Sequence, residues 1–148
     1  MLIIREMTER DVPDVCKIEE ATFSMPWKAA DFMDMIRRDD LTYLVASLDG
    51  EIIGGAGFRN VLGDGEITNV AISEAYRGNG YGRKLVGELL KKGEEMGATA
   101  FTLEVRVSNT PAIRLYESLG FKSEGIRPGF YEKPTEDAMI MWIRNIKC

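Results

Sequence analysis

Three glycines at alternate positions, Gly78, Gly80 and Gly82, join the apolar stretch Ile67–Ile72 to a helical pattern that begins near Gly80. A strand that turns this tightly into an amphipathic helix needs other strands beside it and a helical layer over it, so the stretch predicts an α/β fold. Glycine removes Cβ atoms where backbone N–H groups converge on an anion and where φ is positive. The following helix aims its unbonded N–H groups and the positive end of its dipole at the same point. An isolated glycine triplet would read as a tight turn that needs glycine only for its geometry. The strand before it and the helix after it favour a phosphate-binding turn.

Spacing narrows the ligand. A P-loop requires Gly-Lys-Ser/Thr at the helix start, whereas Gly82 is followed by Arg83-Lys84-Leu85. A dinucleotide fingerprint counted from Gly78 and Gly80 would need its third glycine at Arg83. With 148 residues the chain is sized for one domain, read here as residues 1–148. A net charge of −5 argues against charge-driven binding to nucleic acid or anionic membrane. There is no histidine, which excludes His-dependent triads, and with only two cysteines no Cys/His zinc site, or any metal, is expected. Cys16 falls on the apolar side of a helix and reads as a packing residue, and no disulfide to Cys148 is expected. Met1-Leu-Ile-Ile-Arg-Glu lacks a signal-peptide layout, and no apolar run is long enough to span a bilayer, so a cytoplasmic protein is expected.

In chain order, Leu2–Arg5 reads as a strand. Thr8 and Asp11 then offer a cap for a helix with Val12, Val15 and Ile18 on one stripe, ending near Ala21. Pro26 breaks the pattern before a second helix carrying Phe32, Met35 and Ile36. The aromatic break Phe23–Trp27 is either a core plug or a wall of a groove. Asp49-Gly50 marks a hairpin between Thr42–Leu48 and Glu51–Phe58, with Gly54, Gly55 and Gly57 suggesting a bulge or close backbone approach. After the strand Glu66–Ile72 and the glycine turn, Leu85, Val86, Leu89, Leu90 and Gly93 form one helix face that stops at Gly97. The alternating strand Thr99–Val105 follows, and the crossover implies parallel pairing beside Asn69–Ile72. A helix opened by Ser108-Asn-Thr-Pro111 runs to Gly120. Two strands, about Phe121–Arg127 and Ala138–Ile146, end the chain.

Without histidine or metal, proton transfer and polarisation of a carbonyl remain within reach of Glu, Tyr and backbone N–H groups. Glu104 is the candidate base, although without the glycine loop an ordinary solvated strand carboxylate is the favoured reading. Tyr116, on the next helix, is the candidate acid or else a packing residue. Asn109 either contacts a cofactor or caps its helix.

Arg77-Gly78-Asn79-Gly80-Tyr81-Gly82 resembles the Gln/Arg-x-x-Gly-x-Gly/Ala signature of the GNAT superfamily of N-acetyltransferases. The resemblance implies that the loop, Arg77, Gly78, Asn79, Gly80, Tyr81 and Gly82, holds the pyrophosphate of acetyl-CoA, and that the backbone of Val70, Ala71 and Ile72 bonds the pantetheine arm. It also implies one domain with a mixed, twisted sheet of about seven strands flanked by about four helices, splayed between the fourth and fifth strands. Leu103-Glu104-Val105-Arg106 with Ser108-Asn109, Ala112-Ile113 and Leu115-Tyr116 further resembles the ribosomal-protein-alanine N-acetyltransferases, the RimI group. Glu104 is then implied as proton acceptor, Tyr116 as proton donor and Asn109 as a contact of acetyl-CoA. The implied acceptor is a protein N-terminus, the N-terminal alanine of the eighteenth small-subunit ribosomal protein, with Trp27 and Tyr131 lining its groove and a monomer expected. Phe130 departs from the group's Arg-x-x-Tyr-Tyr pattern and removes one hydroxyl. Acetylation of a small amine or lysine, or a sensor that binds acetyl-CoA without transfer, are the alternatives.

Overall fold

In a computed structural model that describes residues 1–144, seven strands form one sheet. They are β1 (Leu2–Glu6), β2 (Leu41–Leu48), β3 (Glu51–Val61), β4 (Asp64–Ile72), β5 (Ala100–Arg106), β6 (Lys122–Tyr131) and β7 (Glu136–Ile143). The order across the sheet is β1-β2-β3-β4-β5-β7-β6, antiparallel throughout except for the parallel pair β4–β5. The helices are α1 (Val12–Thr22), α2 (Ala29–Arg37), α3 (Tyr81–Glu95) and α4 (Thr110–Ser118).

Alternation along β2 shows why both faces are covered. Tyr43 and Val45 join Val12, Val15, Phe32 and Met35 beneath α1 and α2, while Leu44 and Ala46 join Leu85, Leu89, Phe101 and Leu103 beneath α3. Successive residues of a strand point to opposite faces, so an apolar run such as Tyr43–Ala46 requires two cores. Tyr43 fits because Gly55 and Gly57 lie against its ring, where a Cβ would approach within 2.4 and 2.8 Å. That close approach is the reason for Gly55 and Gly57, whereas at Gly54 a Cβ would stand 2.7 Å from Ala71 O of β4. Cys16 packs at the edge of the α1–α2 core, and burial, with the Glu20 and Glu19 carboxylates nearby, raises its thiol pKa.

Local signals set the element ends. Asp49 and Gly50 both take positive φ, as the β2–β3 hairpin requires, and Gly97 and Gly120 take left-handed φ after α3 and α4. Thr8 and Asp11 form the expected capping box, but over a 3-10 turn at Glu9–Asp11, and α1 proper starts at Val12 with Pro13 in its first turn. β6 extends to Tyr131, beyond the expected Arg127. Ile146, the expected end of the last strand, and Cys148 lie outside the described residues.

The expected pairing of β5 beside Asn69–Ile72 is corrected by the register. β4 and β5 pair only at Asp64–Glu66 with Ala100–Thr102, after which β5 stays bonded to β7 and leaves β4. The right-handed twist of neighbouring strands is not offset by further ladder bonds, so the gap opens from Ile67 and Leu103 onward.

Candidate active site

A bulge prepares the β4 side of this gap. Gly57 pairs with Asn69 and Phe58 with Ile67, leaving Thr68 as the extra residue. Ile67, Val70 and Ile72 therefore pack toward the α3 core, while Asn69 turns toward α1 and donates to Glu19 Oε2 at 3.3 Å. Val70, Ala71 and Ile72 have β3 on one side and no strand on the other. Backbone groups on that free edge are available to a ligand.

The glycine turn stands at the end of the same strand. Gly78 and Gly80 have φ of +82° and +80°, and nothing lies within 4 Å of a Cβ at either, so the space above them is open. Gly82 is needed for packing instead, because a Cβ there would stand 3.0 Å from Leu115 Cδ1. No side chain caps α3, and its first helical bond runs from Lys84 N to Gly80 O. The N–H groups of Tyr81, Gly82 and Arg83 therefore face outward at the positive end of the helix dipole. This arrangement fits a pyrophosphate. Arg77 turns its side chain back, donating from Nε to Ile72 O at 2.8 Å, and Asn79 Nδ2 donates to Tyr76 O at 3.1 Å. Both side chains shape the loop, and Tyr81 packs against the α3 core.

Between β4 and β5 runs a groove of about 690 Å³, lined by Val70, Glu104, Asn109, Tyr116, Trp27 and Tyr131 among others. Glu104 projects from β5, about one-third exposed, with Arg127 Nη1 3.6 Å away. Tyr116 is buried, its ring edge-on to Phe121 at 5.8 Å, and burial holds its phenol well above the ordinary value. Asn109 caps α4, its Oδ1 accepting from Ala112 N at 3.3 Å, which leaves its amide N–H groups for the groove.

Two loops roof the groove. Trp27 packs on Phe32 at 5.6 Å and also lines the groove, so the aromatic break is plug and wall at once. Tyr131 lies under the Arg106 guanidinium, 4.5 Å from its ring centroid, and burial pushes its phenol up to about 12. Arg106 fixes the β6–β7 loop by donating to the carbonyls of Pro134 and Glu132, each at 2.9 Å. Ser24 Oγ reaches Glu132 O at 3.4 Å and joins the two loops. Phe130 is exposed at the mouth with Arg127 over its ring.

The acetyltransferase (GNAT) family profile matches residues 12–121. The chain belongs to the GNAT acetyltransferase family. It is 38% identical over 95% of its length to a putative ribosomal protein bS18-alanine N-acetyltransferase of Bacillus subtilis, covering 93% of that protein. It is 34% identical to the ribosomal protein bS18-alanine N-acetyltransferase of Escherichia coli, covering 95% of this chain and 96% of that one. The crystal structure of the ribosomal-protein-S18-alanine N-acetyltransferase from Escherichia coli superposes with a TM-score of 0.90 at 31% identity, over 100% of this chain and 96% of the other. As a member of this family the chain is an acyltransferase, with the seven-stranded mixed sheet and four helices expected of the fold.

Glu19 escaped the sequence reading. It lines the groove, only 2% exposed, and its carboxylate accepts from Trp27 N and Asn69 Nδ2, each at 3.3 Å. Burial raises its pKa, against the two hydrogen bonds. A signal was present, since Glu19 stands four residues after Val15 on the apolar stripe, where periodicity places an inward-facing residue.

Proposed function

We propose that this acyltransferase moves the acetyl group of acetyl-CoA to the N-terminal α-amine of a protein. The acceptor is the N-terminal alanine of ribosomal protein bS18, residues 1–148 work as one domain, and the reaction takes place in the cytoplasm. The observation that carries the reading is the splay, where Val70 on the free edge of β4 and the side chains of Glu104 and Tyr116 line one groove, and the same strand runs on to an uncapped helix N-terminus. The acceptor follows the relatives, which are named for that alanine and match this chain over nearly their whole length.

Acetyl-CoA supplies an activated thioester. The N–H groups of Gly78 to Gly82 bind its pyrophosphate, with Arg77 and Asn79 holding the loop in shape. The Val70–Ile72 edge bonds the pantetheine amides as a neighbouring strand would, through the backbone of Val70 and the N–H of Ile72. Ala71 turns its backbone to β3, and Arg77 holds Ile72 O. An N–H of this edge polarises the thioester carbonyl. Asn109 adds an amide donor. Trp27 and Tyr131 flank the incoming N-terminus, and Phe130 offers it an apolar surface without a hydroxyl.

Glu104, through water, accepts a proton from the α-ammonium, whose pKa near 8 makes this a small step. The amine nitrogen then bonds to the acetyl carbon as the carbon–sulfur bond breaks, and Tyr116 donates its proton to the departing sulfur. The second proton that the nitrogen sheds on becoming a neutral amide returns through water to the Tyr116 oxygen, while Glu104 releases its proton to solvent. Because Tyr116 stays protonated far above neutral pH, its donor is present whenever the thiolate forms. Mass spectrometry of acetyl transfer to bS18 N-terminal peptides, internal-lysine peptides and polyamines tests the reading. Acetyl on the α-amine of the alanine peptide is expected. Acetyl on lysine or polyamine refutes the acceptor.

A further inference from the structure

Glu19 is a charged group that the transfer step does not use, in a place where an idle carboxylate is costly. A buried carboxylate without a partner is strongly unfavourable, and its usual compensation is a nearby cation. Among the described residues Glu19 forms no ion pair, and its hydrogen-bond partners are uncharged. Its two oxygens instead take neutral donors from two different walls of the groove. Oε1 holds the backbone of Trp27, on the loop between α1 and α2, and Oε2 holds the side chain of Asn69, beside the β4 bulge. Asn69 is oriented in turn by Thr68 Oγ1, which donates to its Oδ1 at 2.7 Å. One side chain thus ties the aromatic wall to the strand edge beside Val70.

We propose that Glu19 is a positioning residue for the acceptor, setting the separation between the Trp27 wall and the β4 edge so that the incoming N-terminus is held in reach of the thioester. The inference rests on the reading of the groove as an acceptor site. It differs from a catalytic role because both oxygens are engaged by protein donors and the residue is almost inaccessible. It differs from plain core packing because an apolar side chain of similar size would fill the space yet leave Trp27 N and Asn69 Nδ2 without partners. Misplacement of a wall by an ångström weakens binding and alignment far more than it weakens the fold.

The partners can be exchanged, which gives the test. Glu19→Leu removes both acceptors, and Asn69→Asp sets two carboxylates against each other. Glu19→Gln keeps an oxygen for Trp27 N, and the Asn69 amide can turn to meet it. The double variant Glu19→Gln/Asn69→Asp reverses donor and acceptor while keeping an oxygen for the Thr68 hydroxyl. The acceptor is whichever peptide the wild type acetylates, so a wrong acceptor assignment shows in the wild type and is separate from this result. Its Kd is measured by calorimetry with CoA present, alongside KM, kcat and the Kd of acetyl-CoA.

Glu19→Leu and Asn69→Asp are each expected to raise the acceptor Kd and KM by about tenfold, the scale of a lost hydrogen bond to a charged group. The Kd of acetyl-CoA should stay unchanged. Glu19→Gln and the double variant should return the acceptor values to near wild type. Unchanged acceptor binding in Glu19→Leu, an equal rise in the Kd of both ligands, or a double variant no better than Asn69→Asp would overturn the proposal. If Glu19→Leu does not fold, the comparison of Asn69→Asp with the double variant decides alone.

Discussion

The same substitution at two places in α3 is expected to have effects of opposite sign, their sizes set by what surrounds each Cβ. Gly87 and Gly93 both lie inside the helix, where glycine costs about 0.5–1 kcal/mol relative to alanine. At Gly87 nothing lies within 4 Å of a Cβ. Gly87→Ala should therefore collect the helical gain, about 0.5–1 kcal/mol. At Gly93 a Cβ would stand 2.2 Å from Phe101 Cζ, where ordinary contact begins at 3.4 Å, an overlap of about 1.2 Å. Phe101 has no room to retreat. Its ring is fully buried, lies against Gly65, where a Cβ would come within 2.4 Å, and meets Phe58 edge-on at 5.8 Å. Overpacking typically costs about 1–3 kcal/mol, and an unyielding ring places this site at the upper end. After the helical gain, Gly93→Ala should be destabilised by about 2 kcal/mol. For a chain of this size that lowers Tm by roughly 4–8 °C, against a rise of about 1–4 °C for Gly87→Ala. Thermal and urea unfolding of both variants, with Phe101→Leu added to each, supplies the measurement. The ring replacement should lessen the penalty only at Gly93. Equal stability of the two glycine variants, or no coupling to Phe101, would refute the argument.

Glu104→Gln should lower kcat by about 10²–10⁴-fold, the usual range for an acid–base group, with acetyl-CoA binding unchanged by calorimetry. Tyr116→Phe should likewise slow turnover while preserving Tm within a few degrees, because the ring keeps its contact with Phe121 and only the hydroxyl is lost. Gly80→Ala puts a side chain where φ is +80°, at a strain of about 1–2 kcal/mol, and should weaken acetyl-CoA binding by about tenfold as the loop shifts. Arg5 holds Asp11 through two hydrogen bonds, of 2.7 and 2.9 Å, and lowers its pKa to about 2, below the unfolded value near 3.9. The stabilisation is therefore complete above about pH 4 and lost as pH falls through 2. With Arg5 partly exposed it should amount to about 1–2 kcal/mol, so Asp11→Asn should cost that much in urea unfolding at pH 7 and almost nothing near pH 2.

What the sequence made legible was local or periodic. Asp49-Gly50, Gly97 and Gly120 announce their turns because positive φ is a property of a few residues, and the stripe on α3 declares which face it buries. The glycine loop, Glu104 and Tyr116 were legible because each belongs to a short pattern with a chemical reason. Other features depend on partners far along the chain. β7 lies between β5 and β6, a placement no stretch of β7 encodes by itself. The extra residue Thr68 shows only once β3 is laid beside β4. Spacing alone left the Phe23–Trp27 break open between core and groove, and Trp27 serves both, packing on Phe32 and lining the groove. The stripe of α1 turns Glu19 inward, but its partner Asn69, fifty positions later, is revealed only by the fold.

The place of β7 also orders the events of synthesis. A chain growing from its N-terminus makes β1 to β5 and all four helices before the strand that will lie beside β5 exists. Until Glu136–Ile143 arrive, β5 is held by three paired residues of β4 and has an open edge on its other side. The glycine turn, built from neighbours in sequence, can assemble early. The roof contributed by Tyr131, Glu132 and Arg106 cannot, because the loop it fixes is completed by the last strand. The glycine-turn end of the site is thus a product of nearby residues, and the roofed end of the groove closes only once β7 has been made.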